Sequence, residues 1–355
     1  MKIIQVVPVF ELGGAEIMCE NLVYELKKMG HEVIVISLYN NHTVITQRFE
    51  DAGINIKYLD KKSGLDLSLF KKLWSILKSE KPDVIHTHLY TTKYIFPLAA
   101  LLKIRVVHTV HSVATKEMST LSRKVNSFFF RFFNVVPVAL SNNIKKTIID
   151  EYKLDEKNVP VILNGIDLNK CNVKIDYSIN KVFNIVHVGS FQEVKNHIGL
   201  IDAFEKFNKK YPNSELHLIG DGAGRLLIEQ IVSDKNLTKQ VKFYGSQPNV
   251  HKFLCKMDVF TLPSLYEGIP MSIIEAMGTG LPIVATKVGG IPDMLDENSA
   301  LLVQVDTDAI EHAFESYYCS EILRKQHGLA ALALSVNFSS LSMAEKYVEL
   351  YLGRK

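Results

Sequence analysis

Apolar runs of strand length alternate with amphipathic stretches of helical length along most of the 355-residue chain. The first run, Ile3 to Val9, is almost continuously apolar, as expected for a strand that is covered on both faces. The stretch from Ala15 to Met29 follows it, with apolar residues at helical spacing until Gly30 ends the pattern. Further strand patterns occur in HEVIVISLY, INIKYL, PDVIHTH and RVVHTVH. Such alternation predicts a parallel sheet.

The alternation begins a second time after a poorly patterned segment. Asn164 and Gly165 supply turn chemistry, and loosely patterned residues continue to about Tyr177. New strand patterns then appear in FNIVHVGS, SELHLIG, KFYG, DVFTLPS and PIVAT. Because the chain is longer than one hydrophobic core usually supports, we predict an α/β protein with two Rossmann-like, doubly wound parallel-sheet domains. We place them at 1–170 and 178–336, followed by a C-terminal segment, 337–355.

Candidate chemistry concentrates in the stretch EGIPMSIIEAMGTGLPIVATKVGG, which begins at Glu267. Glu267 and Gly268 follow a predicted strand, and ligands of open α/β sheets bind at the carboxyl ends of strands. Pro270 suits the start of a helix on which Glu275 lies. The amino end of that helix would attract a phosphate, and ionised carboxylates accept hydrogen bonds from hydroxyl pairs. Each glutamate taken alone is equally compatible with a solvated surface residue.

Six motifs together resemble the retaining glycosyltransferases of family 4, which have the GT-B fold. They are GGAE, NGID, VGSFQEVKNHIGLIDAF, LIGDG, VKFYG and PSLYEGIPMSIIEAMGTGLPIVATKVGG, in the family's order and over nearly the whole chain. The resemblance implies two domains that face each other across a cleft, with the C-terminal helix crossing back to the first, acceptor-side domain. It implies transfer of a sugar, with retention, from a nucleotide-diphosphate sugar to a hydroxyl of a glycan or lipid-linked acceptor. We expect the reaction to belong to bacterial surface polysaccharide biosynthesis.

The resemblance also implies the residues that bind the donor. Glu267 would contact the donor sugar and Glu275 the nucleotide ribose, roles that need no raised pKa. Lys195, a point charge suited to a diphosphate, would act with Glu267 in catalysis. The other expected donor-binding residues are Gly14, Gly189, Ser190, Gly222, Tyr244, Gly268, Ile269 and Pro270.

One position departs from the family pattern. The family usually has an arginine directly after the glycine of VGS, which forms a cationic pair with the lysine, whereas this chain has Ser190. The departure removes one positive charge from the expected diphosphate site and raises the question of how strongly the leaving group is held. Arg225 is a candidate substitute or an ordinary exposed helix residue.

Four histidines end two neighbouring strand patterns. His86 and His88 share one face of their strand, and His108 and His111 lie on the next strand. A metal site is the less favoured interpretation because no carboxylate or cysteine completes a ligand set nearby. We expect His86 and His108 to pack in the core. The resemblance implies that His111, at a strand's carboxyl end, lies next to the donor sugar as a catalytic residue, and we assign His88 to the acceptor side.

A phenylalanine-rich stretch lies between Met118 and Leu140. Its five phenylalanines are interleaved with Arg123, Lys124 and Arg131. An amphipathic helix of this kind either rests on an anionic membrane surface or packs its phenylalanines under the domain. We weigh the two interpretations equally.

Charge and cysteine content favour a cytoplasmic protein. The net charge is only +3, although residues 1–175 contain 24 basic and 17 acidic residues. The four cysteines have no paired spacing, which suits a reducing compartment. No apolar run approaches the length of a membrane span. We therefore expect a cytoplasmic protein that binds no nucleic acid, with peripheral contact to the inner face of the membrane left open.

Three other functions are compatible with doubly wound domains or with the GT-B architecture. An NAD-dependent dehydrogenase needs a Gly-x-Gly-x-x-Gly turn that GGAE does not supply. A GT-B sugar-nucleotide epimerase and a non-catalytic nucleotide-sugar binding protein both remain open, and Ser190 is the best argument for the latter. None of the six motifs contains an Asp-x-Asp metal clamp, so we expect neither a metal nor another cofactor; the nucleotide-sugar is a co-substrate.

Overall fold

The computed structural model, which describes residues 1–354, divides the chain into two α/β units. The first unit contains residues 1–165 together with 340–354, and the second contains Ile166–Ser339. Each unit has its own sheet and its own apolar core.

The sheet of the first unit has six parallel strands in the order β3-β2-β1-β4-β5-β6. These strands are β1 Lys2–Val7, β2 Glu32–Ser37, β3 Asn55–Tyr58, β4 Val84–His88, β5 Arg105–Val110 and β6 Val135–Ala139. The strand order reverses between β1 and β4, the point at which doubly wound sheets bind ligands.

Six α-helices lie between these strands and a seventh follows β6. They are α1 Gly14–Lys28, α2 Val44–Asp51, α3 Ser68–Glu80, α4 Thr92–Leu102, α5 Ala114–Glu117, α6 Thr120–Phe132 and α7 Asn142–Tyr152. Hydroxyl side chains cap three of them, because Thr43, Ser119 and Ser141 each accept a hydrogen bond from a first-turn N–H.

The sheet of the second unit has the same topology. Its six parallel strands follow the order β12-β11-β10-β7-β8-β9, so the order reverses between β7 and β10. They are β7 Phe183–Val188, β8 Ser214–Ile219, β9 Val241–Phe243, β10 Val259–Leu262, β11 Ile283–Thr286 and β12 Leu301–Val303.

The remaining helices complete both units. Those of the second unit are α8 His197–Lys210, α9 Arg225–Asp234, α10 His251–Leu254, α11 Met271–Thr279, α12 Thr307–Cys319 and α13 Glu321–Ser335. The last helix, α14 Ser340–Tyr351, belongs to the first unit, where it packs against α1 and buries Tyr347 and Tyr351. The predicted fold class, two Rossmann-like parallel-sheet domains, is confirmed.

The phenylalanine-rich stretch contains two elements where the sequence pattern suggested one helix. Helix α6 ends at Phe132, and β6 follows as an edge strand that tolerates Pro137 because one side of an edge strand needs no hydrogen bonds. Phe129 and Phe130 are buried, whereas Phe128 and Phe132 are exposed. The packing interpretation is confirmed for Phe129 and Phe130, whereas the membrane interpretation stays a prediction. No helix within residues 1–354 combines the length and the apolar composition needed to span a bilayer.

Replacing Phe207 by alanine should destabilise the second unit. The side chain is fully buried, with its ring 5.7 Å from that of Phe183 and 5.9 Å from that of Phe314. Loss of a buried phenylalanine and the resulting cavity should lower the free energy of unfolding by about 3–5 kcal/mol, measured by denaturant unfolding. Leu226→Ala, at a side chain that is 79% exposed, should change it by less than about 0.5 kcal/mol. Equal effects would contradict the assigned core.

Candidate functional site

The candidate site of the second unit lies at the carboxyl ends of its strands. The connections after β7 and β10 flank the reversal of strand order, where two adjacent connections turn to opposite faces of the sheet and leave a crevice. The first connection contains Lys195, and the second contains Glu267. Residues 72 positions apart are therefore brought together by sheet topology.

Lys195 and Glu267 form a direct ion pair. Lys195 Nζ lies 2.6 Å from Glu267 Oε1, and the hydroxyl of Ser264 donates to the same oxygen at 2.6 Å. The two charged side chains are only 18% and 10% exposed. The sequence suggested two independent ligand contacts, and it gave no role to Ser264. In the structure the ammonium is neutralised by the carboxylate that would bind the sugar.

Gly289 and Gly290 hold the Glu267 loop in place. Both belong to the motif that begins at Glu267, and no role was predicted for them. A side chain on Gly289, whose φ is +54°, would overlap the backbone carbonyl of Glu267. A side chain on Gly290 would overlap the carbonyl of Gly268. The expected contact residue Ile269 is 4% exposed and packs against Gly290. The closing GG pair of the motif thus allows one loop to rest directly on the other.

A second glycine-rich loop packs against the connection after β7. Gly220 and Gly222 have φ values of +140° and +152°. A Cβ on Gly220 would overlap the carbonyl of Gly189, and one on Gly222 would lie 3.0 Å from the backbone nitrogen of Phe191. The structure therefore brings Gly189, Ser190 and Gly222 together, as part of the same strand-end cluster.

Helix α11 begins at the edge of this cluster. Pro270 precedes its first residue, Met271, in an extended conformation with φ −71° and ψ 122°. No side chain in the described part of the chain caps this end. First-turn N–H groups have no partner inside a helix, and the helix dipole makes this end positive. The arrangement can accept an anion such as a phosphate.

Glu275 lies in the middle of helix α11. Burial raises the pKa of its carboxyl to about 7. Its ionised and neutral forms are therefore both populated near neutral pH.

Tyr244 and Arg225 lie beside the Gly220 to Gly222 loop. Tyr244 follows β9, and its hydroxyl lies 2.9 Å from His217 Nδ1, while the adjacent Gly245 carbonyl accepts from the Gly220 N–H at 2.9 Å. Arg225 donates to Asp221 at 3.0 Å and to Glu229 at 2.7 Å. Two carboxylates thus balance its charge, which weakens its candidacy as a substitute for the missing arginine.

The candidate residues of the first unit lie at the ends of β1, β4 and β5. Gly14 is the first residue of α1, and the carboxylate of Glu16 folds back over this helix end, where a side chain on Gly13 would overlap it. His111 Nε2 lies 3.0 Å from Nδ1 of His88. His88 is fully buried, so it reaches a ligand only through His111.

Burial keeps these histidines neutral. It lowers the pKa of His88 well below its ordinary value and the pKa of His111 to about 3. At neutral pH His111 can therefore exchange hydrogen bonds with a ligand but supplies no positive charge. His86 and His108 are fully buried, which confirms their predicted place in the core.

Comparison with known proteins identifies the family of this chain. A model described as "Glycosyltransferase Family 4" matches residues 12–170, and one described as "Glycosyl transferases group 1" matches residues 175–331. An Escherichia coli protein named UDP-Gal:alpha-D-GlcNAc-diphosphoundecaprenol alpha-1,3-galactosyltransferase is 28% identical over 81% of this chain and 79% of its own. A Bacillus anthracis N-acetyl-alpha-D-glucosaminyl L-malate synthase is 25% identical over 96% of this chain and 94% of its own.

Solved structures share the fold. Anabaena HepE in complex with UDP and glucose has a TM-score of 0.86 at 18% sequence identity and covers 99% of both chains. A glycosyltransferase from Rickettsia africae has a TM-score of 0.83 at 20% identity, covering 99% of this chain and 98% of its own. Two family models in tandem, relatives along nearly the whole chain and this shared architecture show that the protein belongs to the family 4 glycosyltransferases of the GT-B fold.

Proposed function

We propose that the protein transfers a sugar, with retention of configuration, from a nucleotide-diphosphate sugar to a hydroxyl of a lipid-linked glycan during surface polysaccharide assembly. The Lys195–Glu267 ion pair at the strand-order reversal of the second unit is the observation that carries this proposal. It combines a cation for the diphosphate with an acceptor for sugar hydroxyls, and the uncapped amino end of α11 adds a second anion-binding group.

The proposed chemistry follows from the charges that develop. When the bond between the anomeric carbon and the diphosphate oxygen breaks, negative charge grows on the phosphate and positive charge on the sugar ring. Lys195 and the N–H groups at the start of α11 stabilise the former. The acceptor hydroxyl attacks from the side of the leaving group, and a diphosphate oxygen takes its proton. Glu267 accepts hydrogen bonds from the sugar, while neutral His111 contacts the donor sugar without adding charge.

Because Ser190 replaces the arginine that is usual in the family, we assign only one side-chain cation of the connection after β7, Lys195, to the diphosphate. The Lys195 ammonium has three N–H groups and donates one of them to Glu267, so it can also donate to a phosphate while the ion pair persists. In our proposal the pair therefore orients the ammonium toward the diphosphate. The leaving group is stabilised without a metal ion, and activity should survive a chelator.

The relatives suggest the substrate class. The name of the Escherichia coli relative gives it a UDP-linked galactose donor and a diphosphoundecaprenol-linked acceptor. We propose the same classes for this protein: a UDP-sugar and a polyprenyl-diphosphate-linked glycan. An epimerase would consume UDP-sugar without an acceptor, and a binding protein would release no UDP with any acceptor.

A membrane surface is the proposed source of the acceptor. Four apolar residues of α6 share one helix face, because they recur at intervals of four, three and four residues. They are Leu121, Val125, Phe128 and Phe132. Their side chains are 74%, 38%, 51% and 69% exposed, respectively. Lys124 and Arg131 on the same helix are exposed as well. An exposed apolar stripe beside cationic side chains fits the interface of an anionic bilayer.

Lys195→Ala should weaken donor binding and transfer. Loss of a charge-assisted contact to the diphosphate should raise the Kd for a UDP-sugar about tenfold or more and lower kcat/KM about a hundredfold, measured by calorimetry and by UDP release. Lys206→Ala is the matched control, because Lys206 is also ion-paired, with Asp308, in the same unit. Equal behaviour of both variants would remove Lys195 from the site.

Donor affinity should depend on pH through Glu275. Only the ionised carboxylate accepts hydrogen bonds from both ribose hydroxyls, and the pKa of Glu275 is about 7. Affinity for the UDP-sugar should therefore be constant above about pH 8 and fall up to tenfold per pH unit below about pH 7. Glu275→Gln should bind more weakly at pH 8 and show a flat profile. A variant that keeps the wild-type profile would show that another group titrates.

Replacing both exposed phenylalanines of the stripe, Phe128→Ala with Phe132→Ala, should reduce vesicle binding. Each lost apolar ring should cost about tenfold in partition onto anionic phosphatidylglycerol vesicles, measured by sedimentation. The matched control, Leu226→Ala with Leu227→Ala, removes two exposed apolar side chains of the second unit and should change nothing. A parent protein that stays off the vesicles at low salt would refute the membrane proposal.

A further inference from the structure

A buried chain of hydrogen bonds crosses the first unit from helix α14 toward His111. It begins at the Tyr347 hydroxyl, which lies 2.7 Å from Thr109 Oγ1. The same Thr109 oxygen lies 2.7 Å from Nε2 of His86. The other ring nitrogen of His86 lies 2.7 Å from the hydroxyl of Tyr351. Two side chains of the last helix are thus joined through β4 and β5.

The chain continues through the side-chain amide of Gln5. Nε2 of Gln5 lies 3.3 Å from the Tyr351 hydroxyl, and Oε1 lies 3.0 Å from Nε2 of His88. His88 Nδ1 then lies 3.0 Å from Nε2 of His111. Nδ1 of His111 has no protein partner among residues 1–354 and ends the chain.

The three histidines transmit the direction of hydrogen-bond donation. Burial lowers the pKa of each ring far enough that all three are neutral. A neutral imidazole has one N–H and one lone pair, so a ring that accepts through one nitrogen must donate through the other. The linking hydroxyls of Thr109 and Tyr351 each have one hydrogen, which needs an acceptor when it is buried. Donation along the chain therefore runs either toward His111 or away from it.

The orientation of the Gln5 amide decides between these directions. With Nε2 toward Tyr351, donation runs from Gln5 to Tyr351, His86, Thr109 and finally Tyr347. The hydroxyl hydrogen of Tyr347, a fully buried residue, then meets no second acceptor in the part of the chain that the structure describes. A buried donor without an acceptor is costly.

A half-turn of the amide removes this defect. The amide oxygen and nitrogen are nearly equal in size, so rotation about the Cγ–Cδ bond exchanges them without disturbing the packing. Tyr347 then donates to Thr109, and each following group donates to the next until His111 is reached. Cys19, whose sulfur lies 3.9 Å from Oε1 of Gln5, does not decide the matter, because a thiol is a weak donor and a weak acceptor.

We propose that donation runs from Tyr347 to His111, so that helix α14 and Gln5 fix His111 as the tautomer with its proton on Nδ1. Gln5 and Tyr351 are then positioning residues, since they act through His88 and His111. The consequence for the reaction rests on the proposed function: His111 offers the donor substrate a neutral hydrogen-bond donor. In the opposite direction it would offer a lone pair.

Nitrogen-15 NMR of histidine-labelled protein tests the proposal without substrate. Two-bond correlations between ring nitrogens and carbon-bound protons distinguish the two tautomers, and His111→Gln assigns the signals. The wild-type protein should show His111 as the Nδ1–H form. A wild-type spectrum with His111 as the Nε2–H form would overturn the proposal.

Tyr351→Phe tests the positioning role. It removes the link that holds the Gln5 amide, so the Nε2–H form of His111 should appear beside the Nδ1–H form. Tyr94→Phe is the matched control: Tyr94 is another buried tyrosine of the first unit, and its hydroxyl accepts from the Asp66 N–H at 3.1 Å. This control should leave the His111 signals unchanged. Unchanged signals in Tyr351→Phe would refute the role of Tyr351.

Activity gives a separate readout. If His111 donates to the substrate, Tyr351→Phe should lower kcat/KM about fivefold, the usual effect of weakening one neutral hydrogen bond. The proposed tautomer in a protein that transfers no sugar would refute the proposed function but leave the hydrogen-bond chain intact. An active enzyme in which His111 is the Nε2–H tautomer would support the proposed function but refute the proposed direction of the hydrogen-bond chain.

Discussion

The ion pair between Lys195 and Glu267 is the interaction on which the candidate site depends. It exists because the strand order of the second sheet reverses between β7 and β10, which places two distant connections side by side. Each surrounding feature supports it. Ser264 hydrogen-bonds the carboxylate, Gly289 allows the carboxylate loop to rest on a neighbouring backbone, and helix α11 directs its positive end to the same region. A substrate with a hydroxylated ring and a diphosphate complements this set of charges.

The two units have the same sheet topology but different strand-end chemistry. The second unit presents an ion pair, the Lys195 ammonium with the Glu267 carboxylate, at the ends of its strands. The first unit presents a neutral histidine backed by a buried polar chain, because burial removes the charge from every ring. A polar chain inside a core is stable only when nearly every donor has an acceptor. That requirement connects the buried tyrosines of the last helix to His111 through hydrogen bonds of the first unit.

Local sequence patterns predicted most of the strands and helices of this molecule. They did not predict which distant residues would pair with each other. Alternating apolar periodicity predicted the parallel sheets, since a strand covered on both faces and an amphipathic helix have distinct patterns. Strand β6 was missed because Pro137 is unusual in a strand and because the preceding phenylalanines extended the helical pattern. The ion pair, the role of Gly289 and the raised pKa of Glu275 depend on residues that meet only in the fold. The hydrogen-bond chain from Tyr347 to His111 joins residues more than 200 positions apart, which no local pattern reveals.

Retention of configuration at the transferred sugar is the most direct test of the central claim. Incubation of the protein with a UDP-α-sugar and a polyprenyl-diphosphate-linked acceptor should release UDP and give a product whose anomeric proton has the small coupling constant of an α-linkage. That result would join the Lys195–Glu267 site to a transfer in which the diphosphate itself receives the acceptor's proton. A β-linked product, or turnover of the UDP-sugar with no product linked to the acceptor, would contradict the account.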